Sequence, residues 1–342
     1  MILSITGRTQ LSGNEYTFTF VYRQIIWLAL GFTLMSFVSK IPLDFLKRFS
    51  GVIWIFAVII TLSTITGYFG VEGGGARRWI RFGPIGFQPV EFLTIAVVIH
   101  LANLLTRNEL EGKLRVFFKT VFVTLISISP LLLQPDMGGV ILVIIIAMAI
   151  FVEARGWFLP VLTGVVTLPL SIYMIFSEGY RIRRYFAFAD PWNSPLDGGY
   201  QVIQGLIAFA NGGLIGRGVG RGFQKLRYLP AAHTDFIFAS IGEEFGLIGT
   251  LFILFLFFML TISIFKIYLG LLTPFHRIFI WGIAISLLLP FFINVAGVTK
   301  LLPLTGMPLP FLSYGGSSML FSWVKIGLIT GIVRDRKKES RS

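Results

Sequence analysis

The sequence predicts an all-α fold, a polytopic bundle of membrane-spanning helices. Of its 342 residues, 55% are hydrophobic and only 13% are charged. The apolar residues form repeated continuous runs of about 18 to 25 residues, the length that crosses a bilayer. The runs lack the alternation with a period of two that is typical of strands. Because backbone polar groups in lipid must pair internally, such runs are helical.

Nine membrane spans are predicted along the chain. They lie near residues 25–38, 51–69, 91–105, 117–133, 138–152, 157–177, 236–268, 278–296 and 317–333. The run 236–268 is longer than a bilayer is thick, so it projects from the membrane at one end or tilts. Residues 1–342 are expected to form a single integral membrane domain with a large external loop at 178–235, before the span that starts near Phe236, and a basic cytoplasmic tail at 334–342.

Short basic loops set the predicted orientation. Lysines and arginines cluster in the connections on one side of the membrane and in the C-terminal tail: Lys40, Lys47, Arg48, Arg107, Lys113, Arg115, Lys119, Arg155, Lys266, Arg277, Arg334, Arg336, Lys337, Lys338 and Arg341. Because basic loops stay inside, the C-terminus is predicted to be cytoplasmic. The opposite side then holds residues 71–88, 134–137, 178–235 and 297–316.

Three arginines in the short outer segment oppose this trend. Arg77, Arg78 and Arg81 lie in GGGARRWIRFGPIGFQP, where topology calls for no positive charge. One explanation is an anionic ligand such as phosphate, which suits the planar donor fork of arginine. The alternative is anchoring at the membrane surface, because Trp79 and Phe82 are interleaved with the arginines.

Composition excludes several kinds of chemistry. The chain has no cysteine, so it has neither disulfides nor thiol chemistry. Its three histidines, His100, His233 and His276, show no ligand spacing, so no metal-ligating residues are predicted. No organic cofactor and no nucleic-acid partner is expected, although the formal net charge is +13.

The acids at the start of the 236–268 span are the first candidates for chemistry. Asp235 directly precedes this span, where an aspartate is either a helix cap or an ionisable functional group. Along a helix, Glu243 lies about 12 Å and Glu244 about 13.5 Å deeper than Asp235, pointing roughly 80° and 180° away. Paired carboxylates need a separation of about 5 to 9.5 Å. We therefore interpret both glutamates as buried polar contacts between helices.

Other polar groups fall on the same predicted side. Asp136 and Glu91 each begin a span after a proline, so helix capping is an alternative to function for both. Residues 301–318, LLPLTGMPLPFLSYGGSS, cannot form a plain helix, and irregular backbone at membrane depth is tolerated where it is buried or lines a cavity. The sequence thus predicts one polar cavity that opens to the outer side.

Four segments carry a specific resemblance. LPAAHTDFIFASIGEEFGLIG, GGGARRWIRFGPIGFQPVEF, LLQPDMGG and NVAGVTKLLPLTGMPLPFLSYGGSSML resemble, in order, motifs of the SEDS family, which comprises FtsW, RodA and SpoVE. The similarity runs from about residue 22 to 333. It implies a peptidoglycan glycosyltransferase that polymerises lipid II at the outer face of the bacterial inner membrane. It also implies a class B penicillin-binding protein and divisome or elongasome components as partners, and a supporting divalent cation, Mg²⁺ or Mn²⁺.

The resemblance also assigns residues. Asp235, in the HTDF motif, would be the general base that takes the proton of the acceptor 4-hydroxyl group. The motifs place further residues at the substrate: Arg77, Arg78, Arg81, Glu91, Gln134, Asp136, His233, Thr234, Lys300, Ser317 and Ser318.

The chain departs from the family pattern at several positions. Ala231 stands where the family has glutamate, Val90 where it has serine, and Thr94 where it has lysine. The missing lysine removes a partner for Glu91 or Asp136, so these acids are expected to pair differently. Residues 1–5 look like the tail of a lost first span, which would bring the total to the family's ten and implies that translation was assigned to an internal methionine.

Subfamily and activity leave alternatives open. QKLRYLP and GYQVIQGLIAFANGGLIGRG look like FtsW, the division polymerase, whereas TGMPLPFLSYGG looks like RodA, the elongation polymerase; the first is favoured. One alternative activity is a lipid II flippase, which predicts an inverted repeat that we do not see in the spans. The other is a non-catalytic scaffold for a penicillin-binding protein, for which the changes at positions 94 and 231 leave room.

Overall fold

The structure, a computed structural model, describes residues 17–66, 70–73, 76–82, 85–176, 188–193, 195–196, 199–224 and 228–339. Within these residues it contains ten α-helices, one short 3₁₀ helix and one three-stranded antiparallel sheet. The helices are α1 Thr17–Val38, α2 Leu43–Ser63, α3 Pro89–Arg107, α4 Lys113–Leu133, α5 Met137–Arg155, α6 Phe158–Phe176, α7 Tyr200–Gly212, α8 Ile237–Leu269, α9 Pro274–Val298 and α10 Gly316–Glu339. The strands are β1 Gly70–Gly73, β2 Ala76–Phe82 and β3 Ile85–Phe87, and the 3₁₀ helix is Pro191–Asn193.

The predicted class, a polytopic helical membrane protein, is confirmed. Among the described residues, 7 helices are long and apolar enough to cross a membrane, namely α2, α3, α4, α5, α8, α9 and α10. Shorter apolar stretches lie in α1, at Tyr22–Val38, and in α6, at Phe158–Pro169. Every predicted span overlaps one of these nine helices. The predicted second span was shifted, because the helix begins at Leu43, directly after Pro42, and ends at Ser63.

Two elements were not predicted. Helix α7 lies inside the stretch interpreted as a long external loop. Residues 70–73, 76–82 and 85–87 form the small sheet with strand order β1-β2-β3, in which Ile80 pairs with Gly70 on one side and Phe87 on the other. The strands are only three to seven residues long and lie among glycines, so their alternation is too short to stand out from the sequence.

The chain divides into two compact units. The first contains the described residues up to Ala29, together with Val166–Leu260 and Pro290–Gly315. The second contains Leu30–Val165, Thr261–Leu289 and the described residues from Gly316 onward. The single domain over residues 1–342 stays a prediction.

Each unit has a core that supports polar groups. In the second unit, helix α3 contacts α2, α4, α5 and α10, and Leu93, Ala96 and Leu101 on it are fully buried. In the first unit, Phe236 packs in a buried cluster with Leu229, Ala232, Ala239, Ala208 and Val298. Two members of this cluster, Ala232 and Phe236, flank the turn that carries Asp235 in sequence, so both ends of the turn are anchored in the core.

Helix α8 is broken near its N-terminal end. Gly246 has φ 65° and ψ −161°, which no helix contains, and such a positive φ favours glycine. A side chain here would also run into the main chain of Leu214 and Gly216. The segment 236–268 is longer than a bilayer needs, and the kink explains this. Its uncharged part lies between Glu244 and Lys266, almost entirely on the C-terminal side of the kink.

Candidate active site

Asp235 lies in a turn of the first unit, two residues before α8 begins at Ile237. The buried Asn294 donates through its amide nitrogen to the carbonyl oxygen of Asp235 at 2.9 Å and to that of Met307 at 2.7 Å. A Cβ atom built on Gly306 would lie 3.5 Å from Oδ2 of Asp235. The carboxylate therefore lies beside the irregular segment 301–315. No helix interrupts that segment, as the sequence predicted.

The two residues before Asp235 are held by the same segment. The backbone N–H of Tyr314 donates to the carbonyl oxygen of His233 at 2.8 Å. The hydroxyl of Ser313 donates to the carbonyl oxygen of Thr234 at 2.7 Å and accepts the N–H of Leu309, also at 2.7 Å. Three consecutive carbonyl groups thus fix this turn, so its position does not depend on the state of its side chains.

The ring of His233 lies at the surface of the turn, with its centroid 6.0 Å from that of Tyr314 in an edge-to-face arrangement. Although the residue is exposed, neighbouring protein atoms partly desolvate the ring, which lowers the pKa of His233 below its ordinary value of 6.5. The imidazole is therefore neutral at pH 7.

Ala231, which replaces the glutamate of the family pattern, closes the turn before Asp235 through its backbone. Its φ of 54° is left-handed. Its carbonyl oxygen accepts the N–H of Thr234 at 3.0 Å and that of Phe236 at 3.2 Å. The hydroxyl of Thr234 donates to the same oxygen at 3.3 Å. The turn therefore closes through the backbone of Ala231 and needs no side chain at this position.

Glu243 has the structural role that the helical geometry predicted. It is fully buried and accepts the N–H of Phe223 at 2.8 Å and that of Gln224 at 3.1 Å. Glu244 is also buried, and its carbonyl oxygen accepts the N–H of Gly218 at 2.9 Å. Glu243 thus fastens the chain around residues 218–224 to α8, in the manner of a buried hydrogen-bonded carboxylate.

In the second unit, Arg78 and Asp136 form an ion pair. Nη1 of Arg78 lies 3.5 Å from Oδ1 of Asp136, and its Nη2 donates to the carbonyl oxygen of Pro135 at 2.7 Å. Oδ1 of Asp136 also accepts the N–H of Gly139 at 3.2 Å, so the capping interpretation of this aspartate is confirmed. Arg78 therefore joins β2 to the start of α5.

The other two arginines of β2, Arg77 and Arg81, differ from Arg78. The register of β2 against β1 shifts by one residue at Arg78, because Glu72 pairs with Arg77 and Val71 with Trp79. Arg78 is therefore the extra residue of a β-bulge, which redirects its side chain. Arg77 and Arg81 are exposed, and neither has an ion-pair partner within the described part of the chain. The three arginines that the sequence grouped together are thus divided into one that is paired inside the protein and two that face outward.

Gln134 and Ser317 are both buried and tie elements together. The amide nitrogen of Gln134 donates to the carbonyl oxygen of Thr61 at 2.7 Å and to the hydroxyl of Thr64, at the end of α2. The hydroxyl of Ser317 accepts the N–H of Gln88 at 2.9 Å and donates to the carbonyl oxygen of Gly86 at 3.0 Å. Their predicted contact with substrate stays a prediction.

Glu91 pairs with a lysine that the sequence analysis did not identify. Nζ of Lys325, on α10, lies 3.3 Å from Oε2 of Glu91 and donates to the carbonyl oxygen of Ser286 at 3.0 Å. The Lys325 side chain is only 3% exposed. With Thr94 in place of a lysine, each acid thus has another basic partner, Lys325 for Glu91 and Arg78 for Asp136; that this differs from the rest of the family stays a prediction.

The remaining predicted site residues occupy the ends of two helices. Lys300 is half-buried just after α9 and has a φ of 61°. Ser318 is buried in the first turn of α10, where its carbonyl oxygen accepts the hydroxyl of Ser322 at 2.7 Å. Their roles, like that of Asp235, stay predictions.

Asn294 and Lys325 are the two polar residues of these clusters that sequence reasoning missed. Each is a lone polar group within an apolar run, INVAG and WVKIG. Intramembrane polar groups are costly unless they are paired, so their isolation was itself a signal of function.

Acidic and imidazole groups do not assemble into a metal site in the described residues, since no three of them converge. Two of the carboxylates already have basic partners, Arg78 for Asp136 and Lys325 for Glu91.

These features define a polytopic helical membrane protein with a rigid acidic turn in one unit and an arginine-bearing sheet in the other. Residues 1–338 match the FtsW/RodA/SpoVE family, described as "Cell cycle protein", and the chain belongs to this family.

Curated relatives include "Probable peptidoglycan glycosyltransferase FtsW" of Geobacter sp. strain M18, 36% identical over 318 residues that cover 92% of this chain and 87% of the relative. The protein of the same name from Escherichia coli O6:H1 is 35% identical over 348 residues, covering 98% and 83%. These values confirm the resemblance deduced from the motifs.

Solved structures share the fold. One, described as "Structural coordination of polymerization and crosslinking by a peptidoglycan synthase complex", matches with a TM-score of 0.80 and 27% identity, covering 98% of this chain and 95% of that one. The rod shape determining protein RodA of Thermus thermophilus matches with a TM-score of 0.70 and 24% identity, covering 98% and 95%.

Proposed function

We propose that the protein is a peptidoglycan glycosyltransferase that polymerises lipid II at the outer face of the bacterial cytoplasmic membrane, with its C-terminus in the cytoplasm. Its curated relatives, which cover 92% of the chain at 36% identity, carry the name of that activity. The basic short loops on the C-terminal side support the orientation.

The observation that carries the proposal is the backbone-fixed turn at Asp235. A general base needs a position that is set before the substrate arrives, because a misplacement of about 1 Å can cost 10²-fold in rate. The hydrogen bond from Asn294 holds the main chain of Asp235 and leaves the carboxylate next to Gly306, a residue without a side chain. An acceptor hydroxyl can approach a carboxylate in such a place.

In the proposed reaction, Asp235 takes the proton from the 4-hydroxyl group of the acceptor sugar. The acceptor oxygen forms a bond to C1 of the donor sugar, and the bond from C1 to the lipid pyrophosphate breaks. The pyrophosphate leaves with the bonding electron pair, so it needs positive charge nearby. Arg77 and Arg81 offer exposed guanidinium groups of the kind that binds phosphate in a fork.

A divalent cation, Mg²⁺ or Mn²⁺, would accompany the pyrophosphate. The described residues do not provide a protein cage for it, since no three acidic or imidazole groups converge. Mg²⁺ is commonly held by substrate phosphates together with one or two carboxylates. The cation therefore fits as part of the substrate complex, and its chemistry would be to neutralise charge on the leaving group.

We further infer a class B penicillin-binding protein as the partner and cell division as the process served. A peptidoglycan synthase complex is among the structural matches at 27% identity, and curated relatives carry the name FtsW. The coupling of polymerisation and crosslinking belongs to that complex by its description.

The test uses the purified full-length protein with its partner transpeptidase and fluorescently labelled lipid II, and compares wild type with Asp235→Asn. The substitution keeps the shape of the side chain and removes its basicity, so we expect at least a 10²-fold loss of glycan polymer. Asp44→Asn is the matched control, because Asp44 is 93% exposed and lies far from the turn in sequence. Equal polymer from Asp235→Asn and wild type would contradict the assignment of the base, and lipid II translocation without polymer would favour the flippase.

A further inference from the structure

A glycine- and arginine-rich segment, residues 213–223, has no role in the proposed chemistry. Its sequence is GLIGRGVGRGF, and we name it the arginine–glycine loop. Four of its apolar side chains are largely exposed, Leu214 at 69%, Ile215 at 79%, Val219 at 61% and Phe223 at 55%. Arg217 and Arg221 are exposed between them. A soluble face would not combine so many exposed apolar groups with arginine.

The loop is fastened to the kink of α8. Two backbone N–H groups directly after Gly246 donate to the first carbonyl oxygens of the arginine–glycine loop. That of Leu247 donates to Gly213 at 2.9 Å and that of Ile248 to Leu214 at 3.2 Å. These bonds use α8 amides that the kink releases from the helix. The apolar end of the loop is therefore held at the level of the kink.

The second half of the loop is fixed to the opposite side of the kink. The N–H of Arg217 donates to the carbonyl oxygen of Glu243 at 3.0 Å, and that of Gly218 donates to the carbonyl oxygen of Glu244 at 2.9 Å. The Glu243 carboxylate accepts the N–H of Phe223 at 2.8 Å. The exposed apolar groups thus stand on a rigid backbone, which lowers the entropy cost of binding through them.

The uncharged part of α8 beyond the kink has the length of one bilayer crossing. No charged residue occurs between Glu244 and Lys266, an interval of about 21 residues or roughly 31 Å of helix. The hydrocarbon core of a bilayer is about 30 Å thick. If Lys266 marks one boundary of this core, Gly246 marks the other, and the loop bound to residues 247 and 248 lies at the headgroup level.

The Arg217 guanidinium is held in place by the protein. Its Nε donates to the carbonyl oxygen of Asn211 at 3.2 Å, and its Nη2 donates to Oδ1 of the same residue at 3.0 Å. The guanidinium also lies 5.1 Å from the centroid of the Phe223 ring. These contacts hold the charge beside the exposed apolar groups, and the N–H of Arg221 donates to the carbonyl oxygen of Gly218 at 3.1 Å on the same loop.

We propose that the arginine–glycine loop is a docking surface for an anionic phospholipid of the surrounding bilayer. Leu214, Ile215, Val219 and Phe223 insert at the boundary between headgroups and acyl chains, while Arg217 and Arg221 bind the lipid phosphate. Apolar side chains interleaved with arginine at headgroup depth are the composition of interfacial segments. Anionic headgroups attract each basic residue near the surface by roughly 1 kcal/mol.

The absence of cysteine from the chain makes the insertion directly measurable. A spin label is attached to Val219→Cys in the full-length protein, reconstituted in nanodiscs of phosphatidylcholine with or without phosphatidylglycerol. We expect the label to collide more with oxygen than with a water-soluble nickel chelate, and to lie deeper when phosphatidylglycerol is present. Glu109→Cys, at an exposed site between α3 and α4, is the aqueous control. Equal nickel accessibility at both positions would overturn the docking.

Lipid selection is tested by native mass spectrometry of the protein taken from the mixed nanodiscs. The retained phosphatidylglycerol is expected to fall about fivefold in Arg221→Gln and by a similar factor again when Arg217→Gln is added. Arg221→Lys keeps the charge and is expected to retain most of the lipid. Unchanged retention in the double variant would refute the phosphate contact. Displacement of the lipid by inorganic phosphate would show that the loop binds phosphate without selecting a phospholipid, which also overturns the proposal.

Discussion

The side-chain amide of Asn294 donates to the main-chain carbonyl oxygen of Asp235 at 2.9 Å and, through the same nitrogen, to that of Met307 at 2.7 Å. One buried side chain thus joins the turn that carries the proposed base to the irregular segment beside it. The contact is made to the backbone, so it holds the turn in place whether the Asp235 carboxylate is protonated or ionised.

Replacing Asn294 by alanine is expected to lower both stability and activity. Two buried carbonyl groups lose their donor, and each unsatisfied buried group costs about 1–3 kcal/mol. The turn can then shift relative to Gly306, so we expect at least a tenfold loss of glycan polymer. Thermal unfolding in detergent and lipid II polymerisation would measure the two effects.

Asn103→Ala is the matched control for this substitution. The Asn103 amide also donates to two acceptors, the carbonyl oxygen of Lys47 at 3.0 Å and the hydroxyl of Ser50 at 2.7 Å, but it does so in the second unit. We expect a similar loss of stability with activity retained. Equal loss of activity in both variants would mean that Asn294 acts through stability alone.

Gly306→Ala is expected to reduce the turnover number more than it reduces stability. The φ of 72° costs an alanine about 1–2 kcal/mol, and the new methyl group lies in contact with Oδ2 of Asp235. Gly156→Ala also places an alanine at a positive φ, 99°, but with open space around it, so it should lose stability and keep activity. Steady-state kinetics beside unfolding temperatures would compare them, and equal turnover in the two variants would contradict the proposed approach to the carboxylate.

Removing one partner of the Glu91–Lys325 ion pair is expected to lower the free energy of unfolding more than removing both partners together. Removing one partner of a buried pair costs about 3–5 kcal/mol, whereas removing both costs much less. Lys325→Met should therefore unfold at a lower temperature than the double variant Glu91→Gln with Lys325→Met. The half-exposed pair of Lys119 and Glu111 serves as the control, since such pairs contribute about 0–1 kcal/mol. Additive effects at positions 91 and 325 would show that the two groups do not interact.

The substitution Glu243→Gln tests whether Glu243 stabilises the fold or takes part in the reaction. Glutamine keeps one acceptor oxygen for the N–H of Phe223 and loses the charge, so we expect a loss of about 1–2 kcal/mol in stability with polymerisation within a fewfold of wild type. Asp235→Asn should behave in the opposite way, with stability retained and polymer lost. An inactive but stably folded Glu243→Gln protein would place this glutamate in the chemistry.

Because the pKa of His233 is lowered in the folded protein, we expect stability to depend slightly on pH. The unfolded histidine binds a proton near pH 6.5, whereas the folded one does so at lower pH, because burial disfavours its charged form. Between these values the unfolded state holds more protons, so stability is complete above pH 6.5 and falls as the pH drops below it. His233→Gln should flatten unfolding curves between about pH 5 and 6.5, and an unchanged slope would refute this cause.

Much of the fold could be predicted because lipid enforces simple rules. Continuous apolar runs located all nine helices that carry apolar spans, and the spacing of Glu243 from Asp235 excluded a paired-carboxylate site. Helix boundaries were less certain, as the early start of α2 at Leu43 shows. The proposed role of Asp235 as the base could not be deduced from its own surroundings in sequence, since a cap and a base have the same local sequence.

The unpredicted parts depend on contacts between distant segments. Nothing near Glu91 in sequence indicates that its partner is Lys325, 234 positions later. The separation of Arg78 from Arg77 and Arg81 coincides with a register shift between β1 and β2, which no local sequence pattern indicates. Asn294 could have been singled out as a lone polar residue in an apolar run, but its two acceptors, at positions 235 and 307, could not.

The contacts of α10 have a consequence for the order of biogenesis. This helix leaves the ribosome long after α3, and only then can Lys325 reach Glu91 and the Ser317 hydroxyl reach Gln88. At its other end, Asp335 accepts the N–H of Leu43 at 3.3 Å. Until α10 is synthesised, Glu91 on α3 lacks its lysine partner. The cost of burying the Glu91 carboxylate is therefore compensated only late in synthesis, when α10 brings Lys325 beside it.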